Sequence, residues 1–234
     1  MATKAETQRN RIVDALMGRL ATQPFSEIEL ADVSSDAGVT LADMRQHFDG
    51  RFAILKAFVQ RIDTTVLASE DPEMGDEPAR ERLFDVLMRR LDALAPYKEA
   101  IRSLIRSARA EPGTALALNG LAVRSMGFML ASARIGTAGG FGRLKVQGVA
   151  IAWARTLDTW IDDTDPGLAK TMMTLDKELS RGERYLDTAD RVWAGLRSLD
   201  DRLSAFRRRD RREKGTTRPA GSDAGDVATA GEGI

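Results

Sequence analysis

The sequence has no cysteine and a single histidine, His47, among its 234 residues. The lack of cysteine excludes disulfides, thiolate nucleophiles and cysteine-ligated metals, and one histidine cannot supply a multi-histidine metal site. Lysine and arginine together number 35, as do aspartate and glutamate, so the formal net charge is zero. No global field therefore draws the chain to nucleic acid or to membrane. We expect no metal and no other cofactor.

We also expect no secretion signal and no membrane-spanning run, and no catalytic constellation is visible in the sequence. The N-terminus is polar, and no apolar run is expected to span a bilayer, so we expect a cytoplasmic protein. A Ser-His-Asp arrangement would have to use His47, and the carboxylates are scattered along the chain. Because function must be argued from a site and no catalytic site is visible, we expect that the protein is not an enzyme.

The most informative stretch that is present covers residues 28–58. Its first part has apolar residues at helical spacing, Leu30, Val33 and Ala37. Gly38 follows directly, and glycine tolerates the left-handed conformation that ends a helix. Thr40 then stands at an N-cap position with Asp43 three residues later, which is close to a capping box. Leu41, Met44 and Phe48 are expected to form the buried side of the second helix. This pattern predicts a helix-turn-helix.

The stretch resembles the tetracycline-repressor (TetR) family of DNA-binding regulators. The resemblance covers residues 9–60. It rests on Arg-Ile-Val-Asp-Ala-Leu at 11–16, Phe25, the run from Leu30 to Thr40, His47-Phe48 and Arg-Phe-Ala-Ile-Leu at 51–55. It implies a transcriptional regulator, a ligand-responsive repressor, that binds a double-stranded DNA operator. Phe25 is expected to be a core residue that holds the N-terminal helices together.

The predicted fold class is all-α, with an N-terminal three-helix helix-turn-helix head and a larger helical-bundle body. We expect the DNA-binding head at 1–65 and a helical ligand-binding and dimerisation domain at 79–184, separated by a linker with two prolines. An amphipathic basic helix is expected at 185–212. The segment 215–234 has almost nothing to bury and is expected to be disordered.

The resemblance places DNA contacts on and beside the second helix of the helix-turn-helix. Arg45 and Gln46 could read a guanine or adenine edge, while Arg51 and the Thr40 hydroxyl could hold phosphates. Residues 1–63 nevertheless contain eight basic and nine acidic residues, so the head is not basic overall. The candidate DNA-binding residues are Thr40, Leu41, Ala42, Asp43, Arg45, Gln46, His47 and Arg51.

The resemblance also implies a homodimer formed by the last long helices and a small apolar ligand bound between the middle ones. The candidate ligand-binding residues are large and apolar: Phe84, Met88, Met126, Met129, Trp153, Trp160 and Met172. Methionine at helical spacing is also routine core filler, and that interpretation stays open. The glycine-rich segment 136–142 lacks the strand that a nucleotide loop requires and is read as a connector. Asp165, before Pro166, is expected to cap the next helix.

A second hypothesis is a lipid- or quinone-binding accessory protein of ubiquinone biosynthesis, from a family that looks TetR-like without DNA binding. Three features favour it: the non-basic head, Arg45 where the TetR family usually has an aromatic residue, and the amphipathic segment 185–206 followed by arginines. A basic amphipathic helix can lie on an anionic membrane surface. Packing of that helix on its own body or on a dimer partner, and contact of its arginines with DNA, are the alternatives.

Overall fold

The computed structural model describes residues 3–69 and 72–184. Within these ranges the chain forms α-helices and short 3-10 turns, with no strand, which confirms the all-α prediction. The helices are α1 (Lys4–Leu20), α2 (Leu30–Ala37), α3 (Leu41–His47), α4 (Arg51–Ala68), α5 (Ala79–Leu94), α6 (Lys98–Ala110), α7 (Pro112–Ser132), α8 (Gly139–Trp160) and α9, which covers residues 169–184.

A capping box fixes the first turn of helix α1. The backbone N–H of Glu6 donates to the Thr3 hydroxyl at 3.2 Å, and the Thr3 N–H donates to the Glu6 carboxylate at 2.9 Å. The Thr-x-x-Glu spacing at 3–6 is the sequence signal for this start. Further along, Ile12, Leu16 and Leu20 are buried, and α1 packs on α2, α4 and α6.

The corner between α2 and α3 has the geometry that the sequence predicts. Gly38 has φ +60° and ψ +42°, and its N–H bonds to the last carbonyls of α2. A Cβ on Gly38 would lie 2.5 Å from the guanidinium of Arg11, which donates to the carbonyls of Ala37 and Gly38. Thr40 accepts from the Asp43 N–H at 3.0 Å and donates to its carboxylate at 2.7 Å, so the capping box is confirmed.

Buried polar contacts join the N-terminal helices to α6. The N–H of Phe25 donates to Ser107 Oγ at 3.1 Å, and Ser103 Oγ donates to the Gln23 carbonyl at 2.9 Å. Phe25 is 2% exposed, and its ring stands edge-on to that of Phe52 with centroids 4.7 Å apart, so its predicted core role is confirmed. Each hydroxyl replaces water for a backbone group that burial would leave unpaired.

Helix α7 occupies the centre of the body, where it packs on α4, α5, α6 and α8. Its 21 residues include an 18-residue window of mean hydropathy 1.3, so by length and composition this helix could cross a membrane. The expectation that no apolar run is long enough was therefore wrong. Only 28% of this window is buried, and Leu116 and Phe128 are 74% and 59% exposed, so packing on the other helices accounts for part of the apolar composition only.

Two boundaries in the body differ from the predictions. The segment 136–142 is a shorter connector than predicted, because α8 already begins at Gly139. The helix expected to start at Pro166 starts at residue 169, after a turn in which Leu168 has φ +52°. Asp165 does cap it, since its carboxylate accepts from the Ala169 N–H at 3.0 Å. The left-handed conformation of Leu168 cannot belong to a right-handed helix, so the helix begins after it.

Several predicted segments fall wholly or partly outside the described residues. These are the amphipathic basic helix at 185–212 and the tail at 215–234. The predicted linker is bracketed by the end of α4 at Ala68 and the start of α5 at Ala79, with a 3-10 turn at Pro72–Asp76 between them. The division into a head at 1–65 and a body at 79–184 stays a prediction.

Candidate nucleic-acid interface and ligand cavity

Helix α3 presents polar side chains to solvent on the side away from α1 and α2. Arg45, Gln46 and Ala42 are exposed, His47 and Asp43 are half-buried, and only Met44 within α3 is buried. Leu41 was expected on the buried side, but it is 53% exposed. A seven-residue helix makes fewer than two turns, so its first residue lies beyond the reach of the core. The exposed surface that results is defined here as the α3 face: Leu41, Ala42, Arg45 and Gln46.

Asp43 and Thr40 are engaged with each other. Hydrogen bonds from the Thr40 hydroxyl and N–H, and the nearby charges of His47 and Lys4, hold the pKa of the Asp43 carboxyl below its usual value. Asp43 therefore stays ionised. A carboxylate in the first turn of α3 interacts favourably with the positive end of the helix dipole. The Thr40 hydroxyl, expected to meet a phosphate, already donates to Asp43.

Arg45 forms an ion pair with Asp49, four residues later, and both side chains are exposed, at 71% and 86%. An exposed pair of this kind is worth about 0–1 kcal/mol, so it can open at low cost. Arg45 can thus exchange a carboxylate for a guanine edge or a phosphate, both of which match a guanidinium.

Arg51 begins α4, as the sequence interpretation expected, but its side chain is engaged within the head. Its Nη1 donates to the carbonyl oxygens of Phe25, Ser26 and Ile28 at 2.8, 2.8 and 2.9 Å. Its guanidinium carbon also lies 5.3 Å from the centroid of the Phe25 ring. The side chain closes the loop between α1 and α2, so we revise its role from holding phosphate to positioning this loop. The three acceptors are distant in sequence, and no local pattern indicates them.

Ion pairs within the head neutralise part of its acidic charge. Arg19 binds both Asp32 and Asp36, and Arg61 binds Asp14 at 2.8 Å. These pairs involve three acidic and two basic residues, and they leave the net charge of the head unchanged. Lys4 and Arg9 are both exposed on α1. The charge of Lys4 acts on Asp43 of α3, and the Arg9 guanidinium lies over the ring of Phe48, directly after α3. The sequence interpretation did not include them among the candidate DNA contacts.

A cavity of about 350 Å³ opens in the body, within the range of about 300–1,000 Å³ that small-molecule sites span. Helices α4 to α8 all contribute to its wall. Most of the wall is apolar, from residues such as Leu55, Phe58, Leu104, Leu118 and Leu157. The lining also includes five small side chains: Ala108, Ala115, Ala122, Ala150 and Ala154.

The cavity has a polar rim and a polar inner wall. At the rim, Arg109 and Asp158 pair at 2.9 Å between α6 and α8, with side chains 63% and 48% exposed. On the inner wall, Arg90 is 4% exposed and forms an ion pair with the buried Asp63 of α4. The hydroxyl of Ser125 donates to the same Asp63 oxygen at 2.7 Å. Burial lowers the pKa of Arg90, and the charge and hydrogen bond of Asp63 oppose that shift.

The fold and part of the sequence match known regulators, although no known family profile matches the chain. A TetR transcriptional regulator from Nitrosomonas europaea aligns with a TM-score of 0.58 at 22% identity, over 75% of this chain and 97% of that one. A TetR regulator from Rhodococcus sp. RHA1 aligns at 0.56 and 14% identity, over 77% and 97%. The chain has the TetR fold.

A curated relative adds sequence similarity to this TetR-like architecture. The HTH-type transcriptional regulator SrpR of Pseudomonas putida is 30% identical over 93 residues, 40% of this chain. The chain spans 42% of the length of that relative. The resemblance read from residues 9–60 is thereby confirmed as a likeness of fold. None of these proteins is described as a lipid-binding accessory protein, so the second hypothesis gains no support from them.

Of the predicted ligand-binding residues, only Trp153 lines the described cavity of the TetR-like body. Met126, Met129 and Trp160 are packed in the core with at most 2% exposure, and Phe84 and Met88 are half-buried against it. Met172 is 40% exposed. Large side chains fill space, whereas a cavity needs small ones, so the alanines at helical spacing were the better signal. Within the described residues, no group of three or more His, Asp or Glu could hold a metal ion.

Proposed function

We propose that the protein is a DNA-binding transcriptional regulator, acting in the cytoplasm, whose affinity for an operator depends on a small molecule in the cavity. The observation that carries the proposal is the Gly38 corner, which holds the α3 face out to solvent. A helix of this kind fits the major groove, where arginine and glutamine side chains distinguish base pairs. The TetR-family and HTH-type names of the similar proteins support it.

The proposed DNA contacts are Arg45 and Gln46 to bases, with Thr40, Leu41, Ala42 and His47 beside them. Lys4 and Arg9 on α1 add cations for phosphates next to α3. Asp43 serves as the cap of α3, and Arg51 positions the preceding loop. The acidic residues of the head predict modest affinity, since phosphate neutralisation provides most of the binding energy.

Helix α4 offers a physical route from ligand to DNA. It begins at Arg51 in the head, contributes Leu55 and Phe58 to the cavity wall, and carries Asp63 to Arg90 on α5. A molecule in the cavity therefore contacts the same helix that follows the helix-turn-helix. We propose that the occupied cavity shifts α4 between two positions, and thereby shifts the population of DNA-competent heads.

A homodimer would provide two copies of α3 to a palindromic operator. Helices α8 and α9 expose Leu144, Ile151, Met172 and Met173, and Gly148 lies between the first two on α8. Leu144 and Ile151 are seven residues apart and so lie on one face of α8, and contiguous exposed apolar side chains are typical of interaction sites. A two-fold interface is the commonest solution, and operator half-sites then lie about 34–36 Å apart or at multiples of that distance.

Selection of DNA from a random duplex pool tests the proposal without knowledge of the operator. The full chain should enrich sequences with an inverted repeat, because each α3 reads one half-site. The variant Gln46→Ala should change the enriched bases within a half-site and leave the spacing unchanged. As a matched control, Gln60→Ala changes an exposed glutamine on α4 and should enrich the same sequences as the wild type. Recovery of unrelated sequences by the wild type would refute the proposal.

A further inference from the structure

Three polar side chains form the rim of the cavity, because they line it and are also exposed to solvent: Arg109 of α6, Asn119 of α7 and Asp158 of α8. The Arg109 and Asp158 side chains are 63% and 48% exposed. Arg90, a further charged residue of the lining, is 4% exposed and paired with Asp63. The other described residues of the lining are apolar, so the cavity joins an apolar interior to a polar rim.

Two of the rim side chains have donor groups that no described residue uses. Arg109 Nη2 donates to Asp158 Oδ1 at 2.9 Å across the rim, while the Nε and Nη1 of Arg109 make no hydrogen bond with a described residue. Gln147 Nε2 donates to Asn119 Oδ1 at 3.0 Å, which leaves the Nδ2 of Asn119 without a described partner. Both side chains are exposed, so a molecule that enters the cavity can reach these donors.

We infer that the cavity takes an amphipathic acid, whose apolar body lies in the interior and whose carboxylate lies at the rim against Arg109. The inference deepens the proposed function and rests on it only in treating the cavity as a ligand site. Burial of the apolar body against the apolar lining provides affinity. The guanidinium orients the head group, because it can donate two parallel hydrogen bonds to a carboxylate.

The charges around the rim favour an anionic head group over a cationic one. Arg106 lies one helical turn before Arg109 on α6, is exposed, and has no ion pair within the described part of the chain. Asp158 is the only acidic residue of α8. Glu111, the next acid after Arg109 along the chain, lies near Arg51 of the head. Two arginines therefore face one aspartate at the rim, which attracts a carboxylate and repels an ammonium group.

The ion pair across the rim does not prevent a carboxylate from binding. A guanidinium has five N–H donors, and Asp158 uses one of those on Arg109. An exposed ion pair also contributes little to stability, so Arg109 can turn away from Asp158 at low cost. Asp158 is half-exposed and would then regain water. The buried pair of Arg90 and Asp63 has no such freedom, because separating it would leave a charge unpaired in the core.

Three eight-carbon probes with different head groups test the inference on the full-length, DNA-free protein: octanoate, 1-octanol and octylammonium. Isothermal titration calorimetry at pH 7 should show that octanoate binds about threefold or more tightly than the other two, a modest factor because water screens charges at an exposed rim. Decanoate should bind about fifteenfold more tightly than octanoate, which is the fold-change for two buried methylenes at about 0.8 kcal/mol each.

Three results of these titrations would overturn the inference. The first is an affinity for 1-octanol or octylammonium that equals or exceeds that for octanoate, because the carboxylate would then have no favoured contact. The second is equal affinity for octanoate and decanoate, because the alkyl chain would then lie outside the cavity. The third is the absence of octanoate and decanoate binding.

Two substitutions at the rim separate a binding role of Arg109 from a structural one. Arg109→Met removes the charge and should bring the ratio of octanoate to 1-octanol affinity to one or below. Asp158→Asn breaks the same ion pair but frees Arg109, so it should raise octanoate affinity about two- to fivefold. A purely structural ion pair would change binding in the same direction in both variants, and that result would exclude Arg109 as the carboxylate contact. Arg124→Met, at an exposed arginine of α7 outside the lining, is the matched control and should keep the wild-type ratio.

These titrations contain no DNA, so their outcome is separate from that of the selection experiment. A protein that selects an inverted repeat but binds octanoate and 1-octanol equally keeps the proposed function and loses this inference. A protein that prefers octanoate but selects no DNA keeps the binding site and loses the regulator function.

Discussion

At the scale of single residues, the ion pair between Arg45 and Asp49 controls how readily the Arg45 side chain can contact DNA. The pair is exposed on both sides, so its opening costs little, yet Asp49 also places a negative charge beside the proposed phosphate path. Arg45 must leave Asp49 before it can contact DNA, and the charge of Asp49 repels phosphate. Both effects lower the affinity of the head for DNA. Replacing Asp49 by an uncharged residue should therefore raise the affinity of the head for DNA.

We predict that Asp49→Asn raises affinity for the selected duplex about two- to fivefold, equivalent to about 0.5–1 kcal/mol for an exposed ion pair. Fluorescence anisotropy at 50 mM and 200 mM salt measures the effect, which should shrink at higher salt because the charges are screened. Asp92→Asn, at an exposed aspartate of α5, is the matched control and should leave affinity unchanged. An affinity for Asp49→Asn at or below that of the wild type would contradict this role.

Asp163 provides a pH test of the body. Its carboxylate accepts from the Thr171 hydroxyl at 2.7 Å, the Thr171 N–H at 3.0 Å and the Asp165 N–H at 3.2 Å. The Thr171 hydroxyl contributes most to lowering the pKa of Asp163 below its ordinary value of 3.8. Because the native pKa is the lower one, the stabilisation is complete above the unfolded pKa and is lost as pH falls through the native pKa.

We therefore predict that Asp163→Asn is less stable than the wild type at pH 7, and that the difference in unfolding free energy shrinks as the pH falls below 3.8. Urea denaturation of both proteins between pH 7 and pH 3 measures this. Asp158→Asn, at the exposed rim, is the comparison and should change stability less. A difference for Asp163→Asn that stays constant across the range would show that the carboxylate charge is not responsible.

At the scale of elements, the helix-turn-helix depends on one left-handed glycine. An L-residue in this conformation costs about 1–2 kcal/mol, and a Cβ would also displace Arg11 from the α2 carbonyls. Gly38→Ala should therefore lower the unfolding free energy by at least about 1–2 kcal/mol. In contrast, Gly18→Ala in α1 meets no atom within 4 Å and should stabilise by about 0.5–1 kcal/mol. Chemical denaturation of both variants measures the difference, and a neutral Gly38→Ala would contradict it.

The sequence predicted the elements well wherever a local pattern decides the structure. The sequence predicted three local features correctly: the turn at Gly38, the Thr40–Asp43 capping box and the buried Phe25. Each depends on residues within a few positions of one another. The contacts of Arg51 could not be predicted from the sequence. Its acceptors lie 23–26 residues earlier, and their approach depends on the packing of α1 and α4.

The cavity shows the same limit more strongly. Its walls come from five helices, and the space depends on which small residues meet, not on the periodicity of any one helix. The sequence interpretation therefore chose large apolar residues as ligand contacts, although Met126 and Met129 are completely buried in the core. The polar network of Asp63, Arg90 and Ser125 joins three helices and has no signature in the sequence.

At the scale of the whole molecule, the proposed homodimer determines whether two α3 helices can bind one operator. Size-exclusion chromatography with light scattering should give about twice the 25.6 kDa chain mass. Ile151→Glu should shift the population toward the monomer, because a charge in the centre of an apolar contact is desolvated without a partner. Gln60→Glu, at an exposed glutamine of α4, should stay dimeric. A wild-type monomer at micromolar concentration would exclude a preformed dimer.

The central claim is that the α3 face reads DNA, and equilibrium binding of the selected duplex tests it most directly. Fluorescence anisotropy in low salt should give specific binding by the wild type, and Arg45→Ala should weaken it by about 1–3 kcal/mol if Arg45 meets a base. Arg106→Ala, an exposed arginine of α6, is the matched control and should bind like the wild type. The account is contradicted if the wild type does not bind in low salt, or if Arg45→Ala keeps both full affinity and the same sequence preference.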